Sequence, residues 1–470
     1  MPLPRKVLGE LCAVSVLLVL GTAQSGVAVA QAPINACTYL TSGMDMSEAI
    51  NAAMVANPGA VIDARCFPAY ATGTTPQTWS VNIFNSVSGP GELLLGTVNV
   101  TVAAQQNIPS GWRIAGAGPG VTILTAATGA NNGNLGAVFQ IGSVTATQSN
   151  TSSVQIENLE INGNGTNEVD LPIQIQAAVG VWVKNSYIHD GQSTNIGIDT
   201  NNPLAGSSQV HIQGNRVGAT HGCNAFDVQA GPKTTDFFIK DNFIFGGSCY
   251  GIGADGSSHG VISGNDISAG GTAAGGGIQV EATNGTPSHI VIANNDIHDF
   301  TATSTAFGIA FVIGASSRNL SDVLIEGNVI ANYAGRGIAV GNLSGFSGTA
   351  CLNATVKGNT IHNTTLAGIR VVGCNIAQVE GNNIYNVGTA LPNNDDQDGI
   401  AISNTTGFIV SGNTVTDISQ STPTTRYAIN LDGTTGDGVI VNNYAKGTAS
   451  GPISNTATGG DIQVLTNHTT

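Results

Sequence analysis

Asp199, Asp227, Asp255 and Glu281 fall one to a repeat in a chain whose repeating unit runs roughly 23–33 residues. Gln174, Gln176, Gln229 and Gln279 flank them. If the units stack, the four carboxylates stand in successive layers, where they repel and raise one another's pKa. One can then hold its proton while another is ionised. A protonated and an ionised carboxyl on one surface suit general acid and base catalysis, and nearby amides can both donate to and accept from hydroxyls. Crowded closely enough, the same acids are calcium ligands instead.

The elements that must position these groups are clearest over Ser321–Asp432. Val323-Leu324-Ile325-Glu326-Gly327-Asn328-Val329-Ile330 is followed by Gly337-Ile338-Ala339-Val340. The same phrase returns around Asn359 with Gly368-Ile369-Arg370-Val371, around Asn382 with Gly399-Ile400-Ala401-Ile402, and around Asn413. Each unit holds short strands of period two and no helical stretch, so the chain is expected to be an all-β solenoid. Asparagine recurs in one register at Asn215, Asn242, Asn265, Asn295, Asn328, Asn359, Asn382, Asn413 and Asn443. One polar residue per coil between apolar strands can stack on its copies and satisfy buried backbone at a bend.

Arg5 and Lys6 precede an apolar run, and Ala28-Val29-Ala30 offers a cleavage site, so residues 1–30 read as a secretory signal peptide. No later run is long and apolar enough for a membrane span. With a formal charge of −15 and charged residues at only 9%, nucleic acid and anionic membrane are unsuited as partners. Six cysteines follow the cleavage site, and an exported chain favours disulfides. Cys351 and Cys374 each lie eight residues before a repeat asparagine, and Cys223 and Cys249 each lie three before an inward position of adjacent coils. Equal offsets place α-carbons about 4.8 Å apart, so Cys223–Cys249 and Cys351–Cys374 are expected, leaving Cys37–Cys66. A short helix over Glu48–Ala56, capped by Asp45 or Ser47, can cover the first coil.

The helix-capped start, Gly116-Ala117-Gly118-Pro119-Gly120-Val121-Thr122-Ile123-Leu124, the asparagine stack and the paired G-N-x-I and G-I-x-V strands resemble the pectate-lyase-like superfamily. The resemblance implies a single-stranded right-handed parallel β-helix with an N-terminal helical cap, secreted and acting on polysaccharide. It also implies a substrate cleft along the G-I-x-V strands. Alternation then sends Gln174 and Gln176, Gly197 and Asp199, Asp227 and Gln229, Gly253 and Asp255, and Gln279 and Glu281 outward. Arg370 is the basic residue of that floor, Tyr250 stands beside it, and His221 sits at its rim. Asp199 and Asp255, two coils apart, suit an inverting hydrolase, whereas Asp255 and Glu281, one coil apart, approach the retaining distance or a Ca²⁺ site. The N-T-D, D-D, G-H-G and R-I-K motifs of polygalacturonases are absent in order.

Three functions follow as expectations. The first is a glycoside hydrolase with Asp199, Asp227, Asp255 and Glu281 catalytic, Gln174, Gln176, Gln229, Gln279, Tyr250, His221 and Arg370 binding substrate, and no cofactor. The second is a Ca²⁺-dependent polysaccharide lyase using the acids as ligands and Arg370 as base. The third is a non-catalytic carbohydrate-binding or surface solenoid. The expected divisions are the signal peptide at 1–30, cap and first coils at 31–130, repeats at 131–445 and a C-terminal tail or cap at 446–470, in a monomer.

Overall fold

From Gly91 to Asn455 each turn of the chain supplies one strand to each of three parallel sheets. In the computed structural model these sheets hold 16, 15 and 13 strands, and within each sheet a strand pairs with its counterpart one coil before and one coil after. The structure describes residues 32–67, 77–129, 136–165, 169–200, 204–218, 220, 226–246, 250–269, 275–301, 306–346, 350–389, 397–417 and 423–469. Pro33–Thr470 forms one compact unit. The strand pattern follows from alternation: in Asn319–Glu326, Val323 and Ile325 are buried while Leu324 between them faces outward.

From Thr151 to Lys446 two residues always separate a first-sheet strand from the following second-sheet strand. The second of them is Leu159 and then Ser186 in the first two of these coils, and from Asn215 onward it is the repeat asparagine, at 0–3% exposure. Asn295 shows the pattern. Its Oδ1 accepts from the backbone N–H and the Nδ2 of Asn265, while its own Nδ2 donates to Ile262 O and to Asn328 Oδ1 at 3.0 and 2.9 Å. The stack runs from Asn215 through Asn443 as expected, and Asn467 extends it by one more coil. The first of the two corner residues must turn the chain left-handedly: Gly327, Gly358, Gly381 and Gly412 all sit at φ 63°. The short polar side chains of Asn185, Asp241, Asn294 and Asn442 take that place elsewhere.

The glycine of G-I-x-V has a different cause. A Cβ on Gly277, Gly308, Gly337 or Gly368 would come within 2.5–2.6 Å of the Cγ2 of Ile297, Ile330, Ile361 or Ile384. Those isoleucines are the inward residues of the second sheet, so the glycine lets two sheets close on one another.

At the N-terminal end a helix spans Met46–Ala56, capped by Asp45 in a reciprocal capping box with Glu48. It begins two residues before the expected Glu48 and buries Met46, Ile50 and Met54 against the first coils. Cys37–Cys66 and Cys351–Cys374 are bridged, the latter between direct register partners. Cys223 and Cys249 lie outside the described residues, as does the expected signal peptide. The stretch after Lys446, expected to be a tail or cap, instead continues the coil with Gly451–Asn455, Ile462–Val464 and His468–Thr469 in all three sheets.

Asn295→Ala strands a carbonyl and two amide partners inside the stack and should cost about 3 kcal/mol. Asn375→Ala removes only an exposed bond from the Thr406 hydroxyl and should cost less than about 1 kcal/mol. Urea midpoints of the two variants, with m unchanged, check the contrast; equal shifts would deny the ladder its special weight.

Candidate functional site

The corner between the first and second sheets has a fixed length, but the other two corners do not. Asp255 and Ser258 are nearly adjacent, whereas Ile198 and Ser208 are far apart in sequence; Tyr333 leads almost directly to Gly335, whereas Tyr385 and Ile400 are separated by a long connection. Both variable corners border the third sheet, so insertions between coils enter the chain on either side of it. The G-I-x-V strands form that sheet, as the cleft expectation requires. One straight row crosses its floor: Asn107, Gln140, Gln174, Gly197, Gln229, Gly253, Gln279, Ala310, Ala339, Arg370, Ala401 and Asn430.

Two of the four acids meet as expected. Asp255 and Glu281 end the strands Tyr250–Asp255 and Gly276–Glu281 as direct register partners, both half-buried. Asp255 Oδ1 accepts the backbone N–H of Thr283 and of Asn284 at 3.0 Å each, and the Asn284 amide donates to Oδ2. Glu281 accepts from the Thr283 hydroxyl and from Gln279 Nε2.

The other two acids are corrections. Asp199 follows its strand at φ 50° and is 0% exposed. Its oxygens accept from Ala177 N, Ser207 N, Ser207 Oγ and Thr234 Oγ1 at 2.6–3.0 Å. It ties three successive turns together and does not face the floor, although burial raises its pKa above the ordinary value against those hydrogen bonds. Asp227 lies two residues out of the expected register, because Val228 and Ala230, not Phe226 and Val228, pair with the inward Ile252 and Ala254. That sets Asp227 opposite Gly251, in the glycine row that abuts the second sheet. There it is 1% exposed and accepts from Asn195 Nδ2 at 2.9 Å, while Asn195 also donates to Gly218 O. Desolvation lifts its pKa to about 7, against the Asn195 hydrogen bond.

Gln229 and Gln279 stand on the floor row half-buried; Gln174 and Gln176 are buried at 5% and 0%, and among the described residues neither amide atom of Gln176 finds a hydrogen bond. Arg370 occupies the row three strands beyond Gln279. Tyr250 opens the strand that Asp255 closes, so it stands at the opposite edge of the floor. His221 lies outside the described residues. Gln105 and Asn107 were not singled out by sequence, since the short strand Gln106–Ile108 lacks the G-I-x-V signature. His189 is 7% exposed between Asp190 and Glu160, at 2.7 and 3.3 Å. Burial lowers its pKa, but the two carboxylates outweigh that and raise it. Among the described residues no three His, Cys, Asp or Glu side chains converge as a metal site requires.

Residues 310–468 match the family model described as a right handed beta helix region. No curated protein matches by sequence. Among solved structures, the A-module of mannuronan C-5 epimerase AlgE4 from Azotobacter vinelandii is similar at TM-score 0.54 and 16% identity, over 91% of this chain and 99% of that one. The AlgE6 A-module of the same organism gives 0.53 and 17%, over 93% and 99%. A tailspike protein of E. coli bacteriophage HK620 gives 0.52 and 13%, over 92% of this chain and 78% of that one. At such identities the likeness establishes the fold, and the chain is a right-handed parallel β-helix.

Asp227 binds more protons folded than unfolded between the ordinary 3.8 and about 7, so it lowers stability as pH rises through that window and no further above it. Asp227→Asn keeps an acceptor for Asn195 and cannot ionise. Its stability advantage over the unsubstituted chain should grow between about pH 4 and about pH 7, to at most about 4 kcal/mol. Parallel pH profiles of the two unfolding midpoints would show that Asp227 does not titrate there.

Proposed function

We propose that this right-handed parallel β-helix is an exported polysaccharide hydrolase whose reacting pair is Asp255 and Glu281 on the outer face of the third sheet. The observation that carries the reading is their direct pairing on neighbouring half-buried strand ends. At a strand spacing of about 4.8 Å the pair matches the carboxyl separation of about 5–5.5 Å used with retention of configuration. This replaces the Asp199–Asp255 pair and the inverting outcome expected from it, since Asp199 is enclosed by its own turn.

Asp255, fixed by the N–H groups of Thr283 and Asn284, attacks the anomeric carbon. Glu281 hands its proton to the departing glycosidic oxygen and later takes one from the water that releases the glycosyl group. Gln229, Gln279 and Arg370 hold the sugar along the floor row. The fold is shared with an enzyme named for its action on mannuronan, and the two disulfides suit an oxidising, extracytoplasmic location.

A second reading, a carbohydrate-binding solenoid without catalysis, draws on the same hydrogen bonds. A carboxylate that ties down the next coil's turn, as Asp255 does, needs no chemistry to explain its place.

Reducing-end release from neutral and acidic glycans, with ultraviolet absorbance of unsaturated uronate read alongside, separates these readings. Hydrolysis predicts new reducing ends without that absorbance and a loss of at least about 100-fold in kcat for Glu281→Gln. Absorbance abolished by a chelator would make the chain a lyase. Binding with no turnover on any glycan would leave the solenoid reading.

A further inference from the structure

Upstream of the acid pair, the third sheet bears a groove of different chemistry. Gln105, Asn107, Gln140, Ser143, Val144 and Gln174 border a hollow of about 540 Å³ outside the strands Gln106–Ile108, Ala137–Gly142 and Leu171–Gln176. Asn107, Gln140 and Gln174 are direct register partners, so their amides repeat about every 4.8 Å along the helix axis. Two internal hydrogen bonds orient the row: Gln105 Nε2 donates to Asn107 Oδ1 at 2.8 Å, and Gln140 Nε2 donates to Gly142 O at 3.2 Å. Among the described residues no partner takes Asn107 Nδ2, Gln140 Oε1 or either amide atom of Gln174. The loop that forms the wall is itself fixed, since Val144 O accepts the N–H of Leu204 at 3.3 Å.

We infer that this amide row is a binding subsite for neutral sugar residues, lying about three strands, roughly 14 Å, before the Asp255 strand. In a chain of net charge −15 the groove is lined, among the described residues, without a single ionisable side chain. An anionic uronate would find no cation to offset the repulsion of the surrounding protein, and a cationic sugar would find no carboxylate. A neutral ring offers hydroxyls that donate and accept in equal measure, and carboxamides answer both functions at each step. Glutamine and asparagine carry no proton to gain or lose near neutrality, so recognition here is independent of pH and of salt. The inference deepens the glycan reading of the third sheet and rests on it.

Isothermal titration of the mature chain tests it, with neutral hexasaccharides (cello-, malto- and laminari-hexaose) set against oligogalacturonate and oligomannuronate. Glu281→Gln serves as a background in which ligand is not consumed. A neutral hexasaccharide should bind with an affinity unchanged between about 50 and about 500 mM NaCl. Asn107→Ala, at an exposed position, and Gln140→Ala should each weaken it about fivefold or more while keeping the parent's thermal midpoint. Tighter binding of an oligouronate, falling with salt, would overturn the inference. Neutral binding indifferent to both substitutions, in a chain that still turns over glycan, would overturn it and spare the function proposed above. Failure to bind any of these sugars, together with absence of turnover, would overturn both.

Discussion

The asparagine stack at one corner of the coil is the interaction on which the remaining architecture depends. Each side chain uses its full hydrogen-bonding capacity on the coils before and after it, inside an interior where an unpaired amide is costly. That requirement sets the same corner geometry from Asn215 to Asn467, although successive asparagines are separated by as few as 23 and as many as 33 residues. The corner cannot lengthen, so every insertion is displaced to the other two. Both border the third sheet, and insertions therefore enter the chain on either side of it. The ladder thus determines, without touching it, where a binding groove can form.

Once the groove is placed, polar residues on its sheet divide by whether the backbone claims them. Asp199 and Asp227 have the residue type and the repeat spacing of catalytic acids, yet one binds three turns together and the other fills a corner where other coils have glycine. Asp255 lies between the two classes, half-buried and holding the N–H groups of the next turn. Glu281 differs from Asp199 and Asp255, because among the described residues its carboxylate accepts only from side chains, Thr283 and Gln279. Side chains can change partners when a ligand arrives, whereas a backbone N–H in a buried turn must keep its acceptor. On that ground Glu281 is freer than Asp199 or Asp255 to turn toward a bound ligand.

Much of the fold was legible in the sequence because the ladder is written there directly, one asparagine per coil with a left-handed residue before it. The Cys351–Cys374 bridge was legible for the same reason: both cysteines keep an equal distance from their ladder asparagines, and equal offsets become register partners. The site was less legible because alternation holds along a strand and fails at its ends. Asp199 follows its strand in a left-handed turn, where outward and inward lose their meaning. Asp227 was displaced by a two-residue slip that spacing alone cannot detect, since Phe226 and Val228 are as plausible an inward pair as Val228 and Ala230. The first amides of the floor, Gln105 and Asn107, sit where no repeated motif marks the strand.

The third-sheet face combines a neutral amide row with a carboxylate pair further along the same axis. A parallel β-helix makes such a combination natural, because residues one coil apart are held at a fixed spacing by backbone hydrogen bonds regardless of what their side chains do. Recognition and chemistry can then occupy different coils of one rigid surface, with no hinge between them. An extended polymer laid along the axis would meet the amides and the acids in a set order and at a set distance. Where along the polymer the bond breaks would follow from the count of coils between the two groups, a property of the backbone and not of either site. A substrate too short to span both would lose either its anchorage on the amides or its alignment at the acids, so chain length itself becomes something this fold can select.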